Sequence, residues 1–136
     1  MGLAPADRRR FARHLALPEL GEAGQARILG ARVALAGGGD PGAREVAALY
    51  LTRSGATIIG ARPSPGDVVV PSFDEAAVVA IAGDPLLLEA ARGLAGALTA
   101  VEALKGLVGL EAKPPVALDV PCLGPETDGQ EPHRRR

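Results

Sequence analysis

A chain of 136 residues, 47% of them Ala, Val, Ile, Leu, Met, Phe, Trp, Tyr or Cys, forms one domain around a single core and is too short for two ordinary domains. A formal net charge of −1 gives no global electrostatic footprint for nucleic acid, and the single cysteine, Cys122, excludes an internal disulfide and a multi-cysteine zinc site. No uncharged apolar stretch reaches the roughly 18 residues that span a bilayer, and MGLAPADRRRF lacks the apolar core of a secretory leader, so the expectation is a soluble cytoplasmic protein with neither membrane nor nucleic-acid partners.

One Tyr, two Phe and no Trp leave the core to small aliphatic side chains. Residues 6–17, ADRRRFARHLAL, set Phe11 and Leu15 four apart, with Arg9 and Arg13 four apart on another face, an amphipathic helical pattern stopped at Pro18. Residues 19–30, ELGEAGQARILG, read as a second short helix closed by Gly30. ARVALAGGG then turns into a strand at 33–36 that enters a glycine loop, GGGDPG, whose glycines Gly37, Gly39 and Gly42 spell G-x-G-x-x-G.

From Gly42 to Ser54 the positions Val46, Leu49, Tyr50 and Arg53 keep a helical period, Gly55 supplies a stop, and ATIIGA (56–61) reads as a second, parallel strand. Strand, loop, helix and strand over 31–61 have the size of a nucleotide-binding βαβ unit. RPSPGD (62–67) is a turn, VVV (68–70) a short edge strand bounded by Pro71, and SFDE (72–75) a capping box ahead of AAVVAIAG (76–83), which reads as the third core strand.

Residues 84–109 are the longest regular segment, a helix with Asp84 as N-cap and Pro85 in the first position. Its polar residues Glu89, Arg92, Thr99, Glu102 and Lys105 form only a narrow stripe. A helix apolar on most sides must be covered on most sides, and one small sheet covers only one of them, which points to another subunit. PPVALDV (114–120) reads as a last strand and 123–136 as a disordered tail.

The run RFARHLALPELGEAGQARILGARVALAG (10–37) is similar to the opening of the ThiF/MoeB/HesA family, the ubiquitin-activating-enzyme-like adenylyltransferases, where an R-[YF]-x-R-[QH] helix, an L-P-E-x-G turn and a G-Q segment precede an A-R-V strand and its glycine loop. The resemblance resumes at GLAGALTAVEALKGLVG (93–109) and VALDV, and AAVVAIAGD (76–84) matches more weakly a family strand ending in an aspartate of ATP and magnesium chemistry. It implies a small α/β, Rossmann-like three-layer domain over 1–122 with a short, mostly parallel sheet, two N-terminal helices over 5–30, and a long apolar C-terminal helix. It also implies ATP binding, adenylation of the C-terminus of a ubiquitin-like or sulfur-carrier protein, and dimers, homotypic or with a full-length relative. Carried over by position, Arg13 matches the arginine that reaches the neighbouring subunit's nucleotide, Asp84 the aspartate, and Gly37, Gly39 and Gly42 the cofactor loop.

The departures fall on the chemistry. Where the family keeps an acidic residue for the ribose hydroxyls this chain has ARP, and Arg62 cannot accept a hydroxyl hydrogen bond. The asparagine- and arginine-bearing segment, the phosphate lysine, the paired C-x-x-C motifs and the crossover cysteine are missing, and Cys122 lies after the last helix.

In the loop itself, Asp40 is a favourable N-cap and Pro41 a favourable first helical residue. An Asp40 carboxylate takes the N–H groups a phosphate would use, and the two anions would repel by several kcal/mol about 4 Å apart at intermediate dielectric. The expectation is therefore a reduced, non-catalytic relative, a dimeric interaction or accessory module without a bound cofactor. The alternatives are an active adenylyltransferase using ATP with magnesium, and a dinucleotide module in which Arg62 meets a 2′-phosphate.

Overall fold

The computed structural model describes residues 2–60 and 62–110. The expected strand at 114–120, the tail at 123–136 and Cys122 lie outside the described residues.

Three short helices open the chain, α1 (Pro5–Arg10), α2 (Ala12–Leu15) and α3 (Gly21–Gly30). The single helix expected over 6–17 is broken at Phe11, whose backbone leaves the helical region (φ −106°, ψ 21°) while its ring turns inward to 3% exposure. The ring stacks on His14, with centroids 5.7 Å apart, and Gly55 lies close enough to Phe11 that a Cβ there would press on Cζ. Burying the chain's one N-terminal aromatic outweighs one continuous helical turn.

Among the described residues the sheet has three strands, β1 (Arg32–Leu35), β2 (Thr57–Ile59) and β3 (Val68–Val70), in the order β2-β1-β3, with both pairings parallel. Val33 pairs with Ile58 on one side and Val68 on the other. VVV is thus an edge strand as its sequence indicates. Helix α4 (Pro41–Ser54) connects β1 to β2 and ends at Gly55, whose φ of 104° is the left-handed stop that glycine supplies. Among the described residues the return from β2 to β3 has no helix. Asp67 fixes its end, accepting from Ser64 N–H at 2.6 Å and from Arg32 Nε at 2.8 Å, and both bonds hold its carboxyl below the ordinary value.

Residues 76–83, expected to be the third core strand, are instead helix α5 (Glu75–Ala82). The cap is Asp74, which accepts from Ala77 N–H at 2.7 Å, rather than Ser72. An apolar run of this length satisfies strand and helix patterns equally, and burial settles the matter: Val78 and Ala82, four apart, are buried, with Ala77 and Ile81 beside them. Gly83 then ends the helix, Asp84 accepts from Leu86 N–H at 2.8 Å to cap a 3₁₀ turn at Pro85–Leu87, and α6 runs from Leu88 to Val108.

Helices α4 and α6 share the most extensive contact in the fold. It is built on small residues: Ala43 and Ala47 face Ala95, Gly96, Ala100 and Ala103, and a Cβ on Gly96 would overlap the Ala43 carbonyl and Val46. The main core joins this pair to Val33 and Leu35 of β1, Val70 of β3 and Ile28 of α3. A second cluster gathers Ala43, Phe73, Val78, Ala82, Ala91 and Ala95 around α5. Among the described residues no helix is long and apolar enough to cross a membrane.

Candidate functional site

In a parallel sheet a ligand crevice opens beyond the carboxyl ends of neighbouring strands whose connections leave in opposite directions. Here β1 has β2 on one side and β3 on the other, so the crevice belongs between the ends of β1 and β3, where the glycine loop stands. The loop closes this place with protein. Ala36 N–H donates to Val70 O at 2.9 Å and Asp40 N–H to Phe73 O at 2.8 Å, which draws residues 71–73 across the mouth. A Cβ on Gly39 would overlap Ser72 Oγ, so the glycine is needed for this close approach. Gly38 makes the turn with φ 88°, and Gly37 is exposed with open space around it.

Asp40 is 1% exposed and accepts from Ala43 N–H at 2.8 Å, the geometry of an N-cap on α4. Arg92 of α6 closes the other side, its Nε 3.2 Å from both carboxylate oxygens, while its Nη1 reaches Glu89. Burial pushes the Asp40 carboxyl up, yet the Ala43 N–H, the Arg92 guanidinium and the Gly42 N–H together hold it below its ordinary value of 3.8. The Arg92 guanidinium is pushed up by its bonds to Glu89 and Asp40. An ion pair with its carboxylate buried and its guanidinium partly exposed therefore fills the helix N-terminus, and Gly42 makes room for it, since a Cβ there would strike the Arg92 stem.

Of the residues singled out in the sequence, Gly39, Asp40 and Gly42 come together with Ser72 and Arg92. Asp84 does not join them. It follows a helix rather than a strand, is exposed, and has its carboxylate on Leu86 N–H, so the strand-end position that carried its comparison with a magnesium aspartate is absent. Arg13 and Arg62 are exposed, with no hydrogen bond or ion pair among the described residues. His14 is a packing residue: its Nδ1 lies 2.9 Å from Gln25 Oε1.

Two functional contributions escaped sequence reasoning. Arg92 sits three, seven and eleven residues before Ala95, Thr99 and Ala103, on the face of α6 that turns inward, and a charge on a buried face requires a buried partner. Gln25 is fully buried and donates from Nε2 to Ser54 O at 2.9 Å, linking α2 through His14 to the end of α4. No pattern in the sequence marks this link beyond its place in the G-Q segment.

A second opening of about 300 Å³ lies between α4 and the ends of β1 and β2, lined by Leu35, Arg44, Glu45, Ile58, Ile59 and Gly60. Arg44 Nε is buried nearby without a hydrogen-bond partner among the described residues.

Compared with known proteins, the sequence matches no family model, and no curated protein is significantly similar to it.

Proposed function

We propose that this chain is a divergent ThiF/MoeB-like protein with a reduced Rossmann-like three-layer fold, acting without catalysis as a dimeric interaction or accessory module of an adenylation system that serves a ubiquitin-like or sulfur-carrier protein. One observation carries the non-catalytic reading: the Asp40 carboxylate, paired with Arg92, occupies the α4 N-terminus where a nucleotide phosphate would have to sit. An anion entering there would displace a charge-assisted network and meet a like charge. Magnesium finds no better reception, because the Asp40 oxygens are engaged by Ala43 and Arg92 and Asp84 is engaged by its own turn. In this reading the N-terminal block that resembles the family serves the fold: Phe11, His14 and Gln25 bind the first helices to the end of α4. Arg13, free and exposed, remains available to a partner's site.

The alternative, an active ATP-dependent adenylyltransferase, draws on the opening beside Arg44, whose volume lies at the bottom of the range for ligand pockets, about 300 Å³. Calorimetric titration of the full chain with ATP and magnesium decides between them. Heats that stay at the level of dilution up to millimolar ATP are expected. A saturable isotherm that Asp40→Asn strengthens would retain the loop as the phosphate site and overturn the non-catalytic reading.

A further inference from the structure

Helix α4 has two faces of opposite character. Ala43, Ala47 and Leu51 are buried in the core, whereas Pro41, Arg44, Glu45 and Ala48 share another helical face and line the opening of about 300 Å³ at the ends of β1 and β2. Leu35, Ile58 and Ile59 form the aliphatic wall of that opening. Two adjacent opposite charges therefore border a small space that is otherwise apolar.

The protein satisfies neither charge. Among the described residues the Arg44 guanidinium makes no hydrogen bond or ion pair, and its Nε is buried. Arg8, Arg32 and Arg92, by contrast, each hold a carboxylate. Arg44 also stands fourth in α4, close to the positive pole of the helix dipole, where a cation is disfavoured. A buried N–H without an acceptor is destabilising until an acceptor reaches it. Glu45 follows directly and is exposed, yet forms no salt bridge with Arg44 or with any other described residue.

We infer that this opening binds a free apolar α-amino acid as its zwitterion. The α-carboxylate lies on the Arg44 guanidinium, the α-ammonium on Glu45, and the apolar side chain against Leu35, Ile58 and Ile59. The planar guanidinium offers N–H groups in a fork that matches both oxygens of a carboxylate. A simple anion is a poorer occupant because Glu45 repels it, and a simple cation is a poorer one because Arg44 does. A molecule with both charges on one carbon and an apolar branch answers all three features together. The size agrees, since about 300 Å³ is the lower end of the range for ligand pockets and suits leucine or phenylalanine better than a nucleotide.

This inference goes beyond the accessory-module reading. It rests on neither the glycine loop nor the family resemblance, because the Asp40–Arg92 pair does not line this opening. Amino-acid and nucleotide titrations therefore fail or succeed separately.

Calorimetric titration of the full chain with L-leucine and with L-phenylalanine, with backbone amide resonances followed in parallel, is the test. A dissociation constant on the order of 0.1 mM is expected for ligands of this size, with saturable shifts at Leu35, Glu45, Ile59 and Gly60. Isocaproate, which lacks the ammonium of leucine, and isoamylamine, which lacks its carboxylate, are each expected to bind at least about tenfold more weakly. Arg44→Gln is expected to weaken leucine by at least about tenfold. Glu45→Gln is expected to weaken leucine and to strengthen isocaproate, a reversal that damage to the fold does not produce. Glu45 is exposed, so its variant keeps the fold, which circular dichroism verifies, and it stands as the test should Arg44→Gln unfold. No saturable binding of either amino acid up to about 10 mM, on the order of a hundred times the expected constant, overturns the inference. Leucine binding that either folded variant leaves unchanged, or equal affinity for leucine and isocaproate, also overturns it.

Discussion

Replacing Asp40 separates the two duties assigned to its carboxylate. Asparagine keeps an oxygen in place for the Ala43 N–H but surrenders the charge facing Arg92, whereas alanine removes both. Loss of the cap costs about 1 kcal/mol. Breaking a fully buried pair costs about 3–5 kcal/mol, but the Arg92 side chain is 27% exposed and retains Glu89, so its share falls nearer to 1. Asp40→Asn is therefore expected to lose about 1 kcal/mol and Asp40→Ala about 2, which at roughly 4 °C per kcal/mol lowers the melting temperature by about 4 °C and about 8 °C.

The same carboxylate sets an acid limit. Its folded-state pKa lies below the ordinary 3.8, so its contribution is fully present above that value and is lost as pH falls from there through the folded-state pKa. Urea unfolding of the three proteins at pH 7 and at descending acid pH measures both effects. The difference between wild type and Asp40→Asn is expected to shrink as acid is added below pH 3.8. Equal stability of alanine, asparagine and wild type at pH 7, or a difference that grows in acid, would refute the reasoning.

Five further substitutions probe the close approaches and the Gln25 link. Gly96→Ala is expected to destabilise by about 1–2 kcal/mol despite alanine's helix preference, because its Cβ meets the Ala43 carbonyl and Val46, whereas Gly93→Ala, with open space around it, is expected to stabilise by about 0.5–1 kcal/mol; thermal melts of the pair check the sign. In the loop, Gly39→Ala is expected to cost about 1–3 kcal/mol through Ser72 and Gly37→Ala to stay within about 0.5 kcal/mol of wild type, both read by chemical denaturation. Gln25→Leu strands Ser54 O and the His14 imidazole and is expected to cost about 1–3 kcal/mol, with faster exchange of the α3 and α4 amides.

Local chemistry made much of the fold legible. Asp40 and Pro41 announce the start of α4, Gly55 its end, and the β-branched triplet Val68–Val70 an edge strand, because caps, left-handed turns and strand propensity act over a few residues. AAVVAIAG was misread because a short, wholly apolar run carries no period, and only its packing against α6 fixes it as helix. The candidate site was half legible. The capping role of Asp40 follows from its neighbours in sequence, but its salt bridge to Arg92 joins residues 52 apart and depends on how α6 crosses α4. Gly39 and Gly42 were visible as a glycine pattern. That they accommodate Ser72 and Arg92 rests on tertiary contacts that no spacing encodes.

The claim that a protein carboxylate has taken the phosphate's place at α4 is tested most directly by following backbone amide resonances during titration with pyrophosphate, in wild type and in Asp40→Ala. The wild-type amides of Gly39, Gly42 and Ala43 are expected to stay in place to millimolar ligand, while those of Asp40→Ala, with the Ala43 N–H and Arg92 released, move and saturate. Saturable shifts at these amides in the wild type would contradict it.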